Sequence, residues 1–354
     1  LIYLGLFGHL NQPATPLVQS FKNGILMQDH SAASPLLTAR HLTFDDIPVI
    51  DFAGMLSEDA QARAQVVEAV RRASETVGFF YIRNHGVPQA LIDQIFALGL
   101  KFFDLPLSEK LEIHKNQSAH HAGYTPLLAE NTDPANRGDL HECFDIVAEL
   151  GNDVRDQDAE LNLWPANLPE LRPALDTYFA ALLQLGRKLF EVVALSLKLA
   201  PDFFEPYLTR PTGMLRINYY PPQPPQSDGS QIGIGAHTDY ECFTILAQQP
   251  DVTALQIWNG FEWIAAPSIP GTFVVNIGDQ MQRWTNDIFA STRHRAINMT
   301  ANPRLSIPFF LGVNYETNIT AIPGCVSDAR PGKYAPVIAG EYVTQRLNET
   351  YGYV

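Results

Sequence analysis

The sequence predicts a mainly β protein with flanking α-helices, its core a sandwich or barrel of short strands such as a jelly roll. Three observations point there. From Met214 to about Tyr315, β-prone segments alternate with clusters of Pro, Gly and Asn, the pattern of many short strands joined by turns. Upstream of Ala200, apolar residues recur at helical spacing in three stretches. No Gly/Ser-rich linker divides the helical half from the β half, so the helices are expected to buttress the β-sandwich within one domain, residues 45–354.

Each element follows from local chemistry. Residues 1–44 open with a mildly apolar LIYLGLFGHL that has neither an initiator Met nor the basic flank of a signal peptide. They read as an N-terminal extension outside the chemistry, with Met27 as a natural start. IPVIDF (Ile47 to Phe52) reads as a strand. From Asp59 to Val77, the residues Ala62, Val66, Ala69, Val70, Ala73 and Val77 share a helical face, and Gly78 ends that helix. FFYIRNHG (Phe79 to Gly86) is a strand running into a turn that His85 shapes, and Val87-Pro88 opens an apolar helix reaching Phe103. From Leu105 to Pro165 the pattern turns irregular and polar, as in the long loops that act as lids. A helix from about Pro169 to Ala200 carries Leu171, Leu175, Tyr178, Leu182, Leu185, Leu189 and Val193 on one side. The domain thus divides into a helix and strand part (45–213), a β core (214–315) and a C-terminal helical tail (316–354).

Composition narrows the function. The chain has 354 residues, 24 basic against 38 acidic, for a formal charge of −14. With no polybasic run, a nucleic-acid backbone binder is not expected. Its three cysteines, Cys143, Cys242 and Cys325, are widely spaced and form no C-x-x-C pair. That argues against a disulfide framework or structural zinc and for a reducing, cytoplasmic location. No stretch reaches the roughly 18 apolar residues of a membrane span.

The strongest local signal is His237-Thr238-Asp239. Alternate residues of a strand share a face, so both side chains reach one point. Two histidines and one carboxylate on one octahedral face are the ferrous set of non-haem oxygenases. The second imidazole is His294, in the β-prone FASTRHRAI. Arg304 and Ser306 lie shortly downstream, again on one strand face, and offer a guanidinium fork and a hydroxyl suited to the distal carboxylate of 2-oxoglutarate. Asn218 and Tyr220, in RINYYPP, present an amide and a phenol to one pocket. Tyr124, Phe144 and Phe310 are expected to form an apolar wall for a small organic substrate.

The order of these pieces resembles a known family. IPVIDF, GFFYIRNHGVP, NYYPP, GAHTDY, the GDQMQRWTND–STRHR run and R-L-S occur in the sequence of the isopenicillin N synthase-like 2-oxoglutarate/Fe(II) dioxygenases, over about residues 46–350. The resemblance implies a double-stranded β-helix core, a cupin-like jelly roll with helices outside. It implies Fe(II) held by His237, Asp239 and His294, and 2-oxoglutarate held by Arg304 and Ser306 with Asn218 and Tyr220 nearby. Activity would consume 2-oxoglutarate and O2, give succinate and CO2, and most often hydroxylate a small molecule, with no nucleic acid, membrane or protein partner implied. Gly278-Asp279 and Trp284-Thr285-Asn286 would be structural support. One departure stands out: many relatives have a small residue after HTDY, whereas this chain has Glu241-Cys242, with Glu241 expected to face away from iron and Cys242 to pack. Alternatives are an isopenicillin N synthase-type Fe(II) oxidase that does without 2-oxoglutarate, an ethylene- and succinate-forming enzyme, and a non-catalytic β-sandwich binding protein.

Overall fold

The computed structural model describes residues 39–41, 47–118, 120–133, 137–148, 162–223 and 231–351. Strands β1 (Arg40–His41) and β2 (Val49–Asp51) precede helix α1 (Ala60–Thr76) and β3 (Phe79–Arg83). Helices α2 (Gln89–Phe103) and α3 (Leu107–Leu111) follow, then β4 (Gly123–Thr125), β5 (Glu142–Val147) and the long α4 (Leu171–Ser196). The β-rich half holds β6 (Pro211–Tyr220), β7 (Ile234–His237), β8 (Phe243–Gln248), β9 (Leu255–Trp258), β10 (Trp263–Ala266) and β11 (Thr272–Ile277). After α5 (Asp279–Trp284) come β12 (His294–Ala296), β13 (Arg304–Asn314), β14 (Asn318–Ile319), β15 (Val337–Ile338) and the terminal α6 (Ala339–Tyr351).

Local signals explain the helical layer. Asp59 caps α1, its carboxylate accepting from the amides of Gln61 at 2.8 Å and Ala62 at 3.2 Å, a contribution of about 1 kcal/mol. Gly78 closes the helix with φ +71°, and a Cβ there would come 2.0 Å from the Ala290 carbonyl oxygen, so no other residue fits. Helix α4 lays its apolar face on a sheet, with Phe179 against Phe309 (5.0 Å between ring centroids) and Phe190 against Phe243 (4.9 Å).

Eight strands form that sheet in the order β2-β3-β11-β8-β13-β6-β5-β4, and five form a smaller one, β1-β10-β9-β12-β7. The larger sheet is buried on both faces, and strand alternation sorts its residues. Leu215, Ile217, Leu305, Ile307 and Phe309 join the core under the helices. Their neighbours Arg216, Asn218, Tyr220, Arg304 and Ser306 point the other way, into a cavity also lined by His237 and His294 of the smaller sheet. Functional side chains and core side chains therefore come from the same two strands.

Two expectations change. The stretch between Leu105 and Pro165 is no simple loop: β5 pairs with β6 along Glu142–Val147, and β4 pairs with β5, extending the larger sheet by two strands. Glu142 and Asp145 interrupt the apolar alternation of ECFDIV, which hid the strand. Residues 40–41, within the stretch read as an extension, pair in parallel with β10, while 1–38 and 42–46 lie outside the described residues. Among the described residues no helix is long and apolar enough to cross a membrane.

Candidate metal centre and cosubstrate pocket

Strands β7 and β12 pair antiparallel with His294 opposite His237, which sets the two imidazoles side by side, ring centroids 4.3 Å apart. Asp239, just past the end of β7, places Oδ1 3.5 Å from Nε2 of each. The Nδ1 of His237 lies 2.8 Å from the Gly235 carbonyl, and that of His294 lies 3.1 Å from the Thr292 carbonyl. A ring nitrogen facing a carbonyl carries the proton, so both Nε2 lone pairs turn to the shared space. Asp239 Oδ2 accepts from the Thr244 hydroxyl and, at 2.7 Å, from the Asn276 amide, which leaves Oδ1 for a metal. Burial alone would raise the Asp239 carboxyl, but His294 and His237 prevail and hold it well below the usual carboxylate range. Burial likewise opposes protonation of His237, yet its bond and charge interaction with Asp239 raise its pKa on balance. Two imidazoles and one carboxylate, held from behind and open in front, fit a ferrous ion.

A second unsatisfied charge faces the same cavity, whose volume is about 120 Å³. Register places Arg304 beside Tyr220 and Ser306 beside Asn218. The Arg304 side chain is 1% exposed, and its Nε and Nη1 have no hydrogen-bond partner; Asn218 Oδ1 has none either. The Tyr220 ring centroid lies 4.8 Å from the guanidinium carbon, and the Tyr220 hydroxyl is 3.1 Å from that of Ser306. Burial draws the Arg304 pKa down, which expresses the cost of a cation in a dry site without an anion. The guanidinium fork and the Ser306 hydroxyl form a donor set suited to a carboxylate.

Beside this cavity lies another cluster with metal-ligating atoms, Glu130, His141 and Cys143. It is already satisfied differently. Arg216 bonds Glu130 through Nη1 and Nη2, both at 2.9 Å, and Asp145 through Nε at 2.7 Å and Nη2 at 2.8 Å. Lys115 Nζ adds a second cation 3.9 Å from Glu130. Burial pushes the Cys143 thiol well above its usual pKa, so it offers no thiolate.

Of the residues expected at the site, His237, Asp239, His294, Arg304, Ser306, Asn218, Tyr220 and Phe310 all line this one cavity. Tyr124 and Phe144 do not. Tyr124 is buried with its hydroxyl donating to Glu142, and Phe144 packs 4.7 Å from Phe102 in the helical core. Both sit on β4 and β5, the last two strands of the larger sheet, a placement that an irregular loop reading cannot supply. Glu241, in the turn after β7, is among the residues that line the cavity, with its Cγ against Gly312. Cys242 is packed, as expected.

Sequence reasoning missed Thr244 and Asn276, which orient Asp239; a lone amide within the apolar VVNIGD was the available signal. Asp279 supports the ligand turn: its amide donates to the Asp239 carbonyl at 2.8 Å, and its carboxylate accepts from Ser291, Tyr342 and Arg346. Asn286 Nδ2 ties down the Cys325 and Pro331 carbonyls. His85 stacks on Phe273 at 4.2 Å and accepts from the Val87 amide, burial lowering its pKa to about 4, in keeping with its turn role. Leu347 and Thr350 of α6 close the outer side of the cavity.

Fold and site together present a His-Asp-His set suited to one metal ion, beside a buried guanidinium, on a jelly roll. Residues 47–167 match the family described as non-haem dioxygenase in morphine synthesis N-terminal, and residues 211–313 match the 2OG-Fe(II) oxygenase superfamily. A 2-oxoglutarate-Fe(II) type oxidoreductase of Emericella nidulans is 33% identical over 316 residues, 86% of this chain and 90% of its own length. A 2-oxoglutarate-dependent dioxygenase of Talaromyces stipitatus is 34% identical over 321 residues, 86% and 96% of the two chains. The crystal structure of a full-length Neurospora crassa protein in complex with alpha-KG and thymine aligns with a TM-score of 0.77 at 28% identity, covering 87% of this chain and 98% of that one. The chain belongs to the 2OG-Fe(II) oxygenase superfamily. It is an oxidoreductase that uses Fe(II), 2-oxoglutarate and O2, and its two-sheet core is the double-stranded β-helix of those relatives. The comparisons favour this over the oxidase without 2-oxoglutarate, the ethylene-forming enzyme and the non-catalytic binding protein.

Proposed function

We propose that His237, Asp239 and His294 hold the iron, that Arg304 and Ser306 grip the distal carboxylate of 2-oxoglutarate with Asn218 and Tyr220 beside it, and that the enzyme hydroxylates a small organic substrate. The observation that carries this is the buried Arg304 guanidinium, with two unpartnered nitrogens, in the same cavity as the His-Asp-His set. When bound, iron and 2-oxoglutarate supply the O2 activation that no side chain offers, with succinate and CO2 as products.

The chain's own contribution is placement. Thr244 and Asn276 fix Asp239, two carbonyls fix the imidazoles, and α6 covers the outer side, so that a reactive centre is screened from water. Phe310, with Met214 opposite it in register, forms an apolar wall for the substrate. A small substrate agrees with the thymine bound in the Neurospora relative. The buried, unpaired thiols of Cys143, Cys242 and Cys325 suit a cytoplasmic location. Anaerobic titration of the Fe(II) protein with 2-oxoglutarate tests the assignment. A visible metal-to-cosubstrate absorption band is expected, absent in His237→Ala. No band in the wild type, with no succinate formed in air, refutes it.

A further inference from the structure

The terminal helix α6 meets the metal-ligand turn through residues spaced four apart. Tyr342, Arg346 and Thr350 share one face of that helix, since four residues advance an α-helix by little more than one turn. All three end on the two residues that flank Asp239: Tyr240, its neighbour in the chain, and Asp279, whose amide donates to the Asp239 carbonyl at 2.8 Å.

Tyr240 is held on its face and at its tip. The Arg346 guanidinium carbon lies 4.6 Å from the ring centroid. Thr350 has one hydroxyl proton, committed to the Arg346 carbonyl at 3.1 Å, so it accepts from the Tyr240 hydroxyl at 2.6 Å. Asp279 is buried, and its carboxylate accepts from both sides. From α6 come the Tyr342 hydroxyl at 3.0 Å and Arg346 Nη1 at 3.2 Å. The ligand segments supply the hydroxyls of Thr238, between His237 and Asp239, at 3.2 Å, and of Ser291, just before His294, at 2.7 Å. One carboxylate therefore joins the helix to the segments that carry all three ligands.

The start of α6 is fixed by its backbone. The Ala339 amide donates to the Thr317 carbonyl at 2.8 Å and the Gly340 amide to that of Tyr315 at 2.9 Å. A Cβ on Gly340 would meet the Tyr315 ring at 2.0 Å, so this entry is tightly packed. Further along, polar side chains take over, and Leu347 and Thr350 line the cavity. Each such contact is modest, because the Arg346 side chain keeps 31% of its exposure. A terminal helix held by bonds of that strength docks and undocks far more readily than the whole fold opens.

We infer, resting on the assignment of Asp239 as an iron ligand, that Tyr342, Arg346 and Thr350 are positioning residues. Docked α6 holds the Thr238–Tyr240 turn in the geometry that binds iron, so that closing the cavity wall and tightening the metal site are one event. The coupling is between two equilibria and is therefore reciprocal. Iron must hold α6 down by the same factor by which docked α6 tightens iron.

The test uses the full chain with Fe(II) alone, without oxygen. Two quantities are read: the iron dissociation constant, by competition with a chromophoric chelator, and amide exchange of the peptide spanning α6, by mass spectrometry. In the wild type, iron is expected to slow exchange across α6 about tenfold, the low end of what outer partners of metal ligands contribute. The triple variant Tyr342→Phe, Arg346→Met, Thr350→Val is expected to bind iron about tenfold more weakly and to lose the iron-dependent protection. Gln345→Ala, on the exposed side of α6, is expected to match the wild type in both. A role in stability alone would lower the melting midpoint of the triple variant and leave its iron dissociation constant at the wild-type value. That result overturns the inference, as does wild-type exchange across α6 that ignores iron, or an equal loss in Gln345→Ala. If the triple variant fails to fold, the wild-type exchange decides. Absence of iron binding in the wild type overturns the ligand assignment itself, and this inference with it.

Discussion

His237, Asp239 and His294 on one side, and Glu130, His141 and Cys143 on the other, each bring three ligand atoms within 4.8 Å of one another. The first group is the metal centre we propose, and the second is an internal salt bridge. What separates them is the charge around the ligands. In the first, no Lys or Arg among the described residues pairs with Asp239; neutral donors hold one oxygen and leave the other without such a donor. In the second, Arg216 occupies both oxygens of Glu130, and Lys115 stands behind. A set of ligand types does not make a site: the surrounding side chains must leave the lone pairs unspent and the local charge negative.

That contrast breaks in a graded way. Its largest expected effect is total: His294→Ala should lose bound iron, measured by metal analysis after anaerobic loading, while far-UV circular dichroism stays native. Wild-type iron content in that variant would remove the triad. Next, Arg304→Gln should retain iron but weaken 2-oxoglutarate binding by roughly 100-fold, the loss of about 2–3 kcal/mol expected of charged hydrogen bonds; titration of the absorption band reads it. Smaller again, Asn276→Ala should lower iron affinity by about tenfold, because Asp239 loses one of the two donors that orient it.

At the other cluster the expected effect on iron is nil. Glu130→Gln should bind the wild-type complement of metal, yet lose about 3 kcal/mol of stability in urea unfolding, since it breaks a buried pair and leaves Arg216 with Asp145 alone. The pH dependence sharpens this. Burial raises the Glu130 carboxyl, but Arg216, His141 and Lys115 outweigh it and hold the folded-state value well below normal. A depressed carboxylate stabilises the fold above its unfolded-state pKa, about 4.3, and that contribution disappears as pH falls towards the folded value. Acid unfolding curves of wild type and Glu130→Gln should therefore converge as pH drops; a constant gap down to the acid transition would mean that Glu130 is not ionised in the fold.

Much of this was legible in one dimension. Helix α1 follows from a capping Asp59, an apolar face and a terminating Gly78. His237 with Asp239, and Arg304 with Ser306, follow from the i, i+2 geometry of strands. What was not legible is equally specific. Glu142 and Asp145 concealed strand β5 because their charges are cancelled by Lys110 and Arg216, which are distant in the chain. Tyr124 and Phe144 have the composition of a pocket wall but the location of a core.

The chain alone determined the chemistry, because metal ligands and a carboxylate fork are set by residue type and by a two-residue period that every strand obeys. Tertiary structure decided which groups are already paired, since that depends on charges brought together across long chain separations. It is why Glu130 is spent on Arg216 and why Arg304 lacks a partner for its Nε and Nη1.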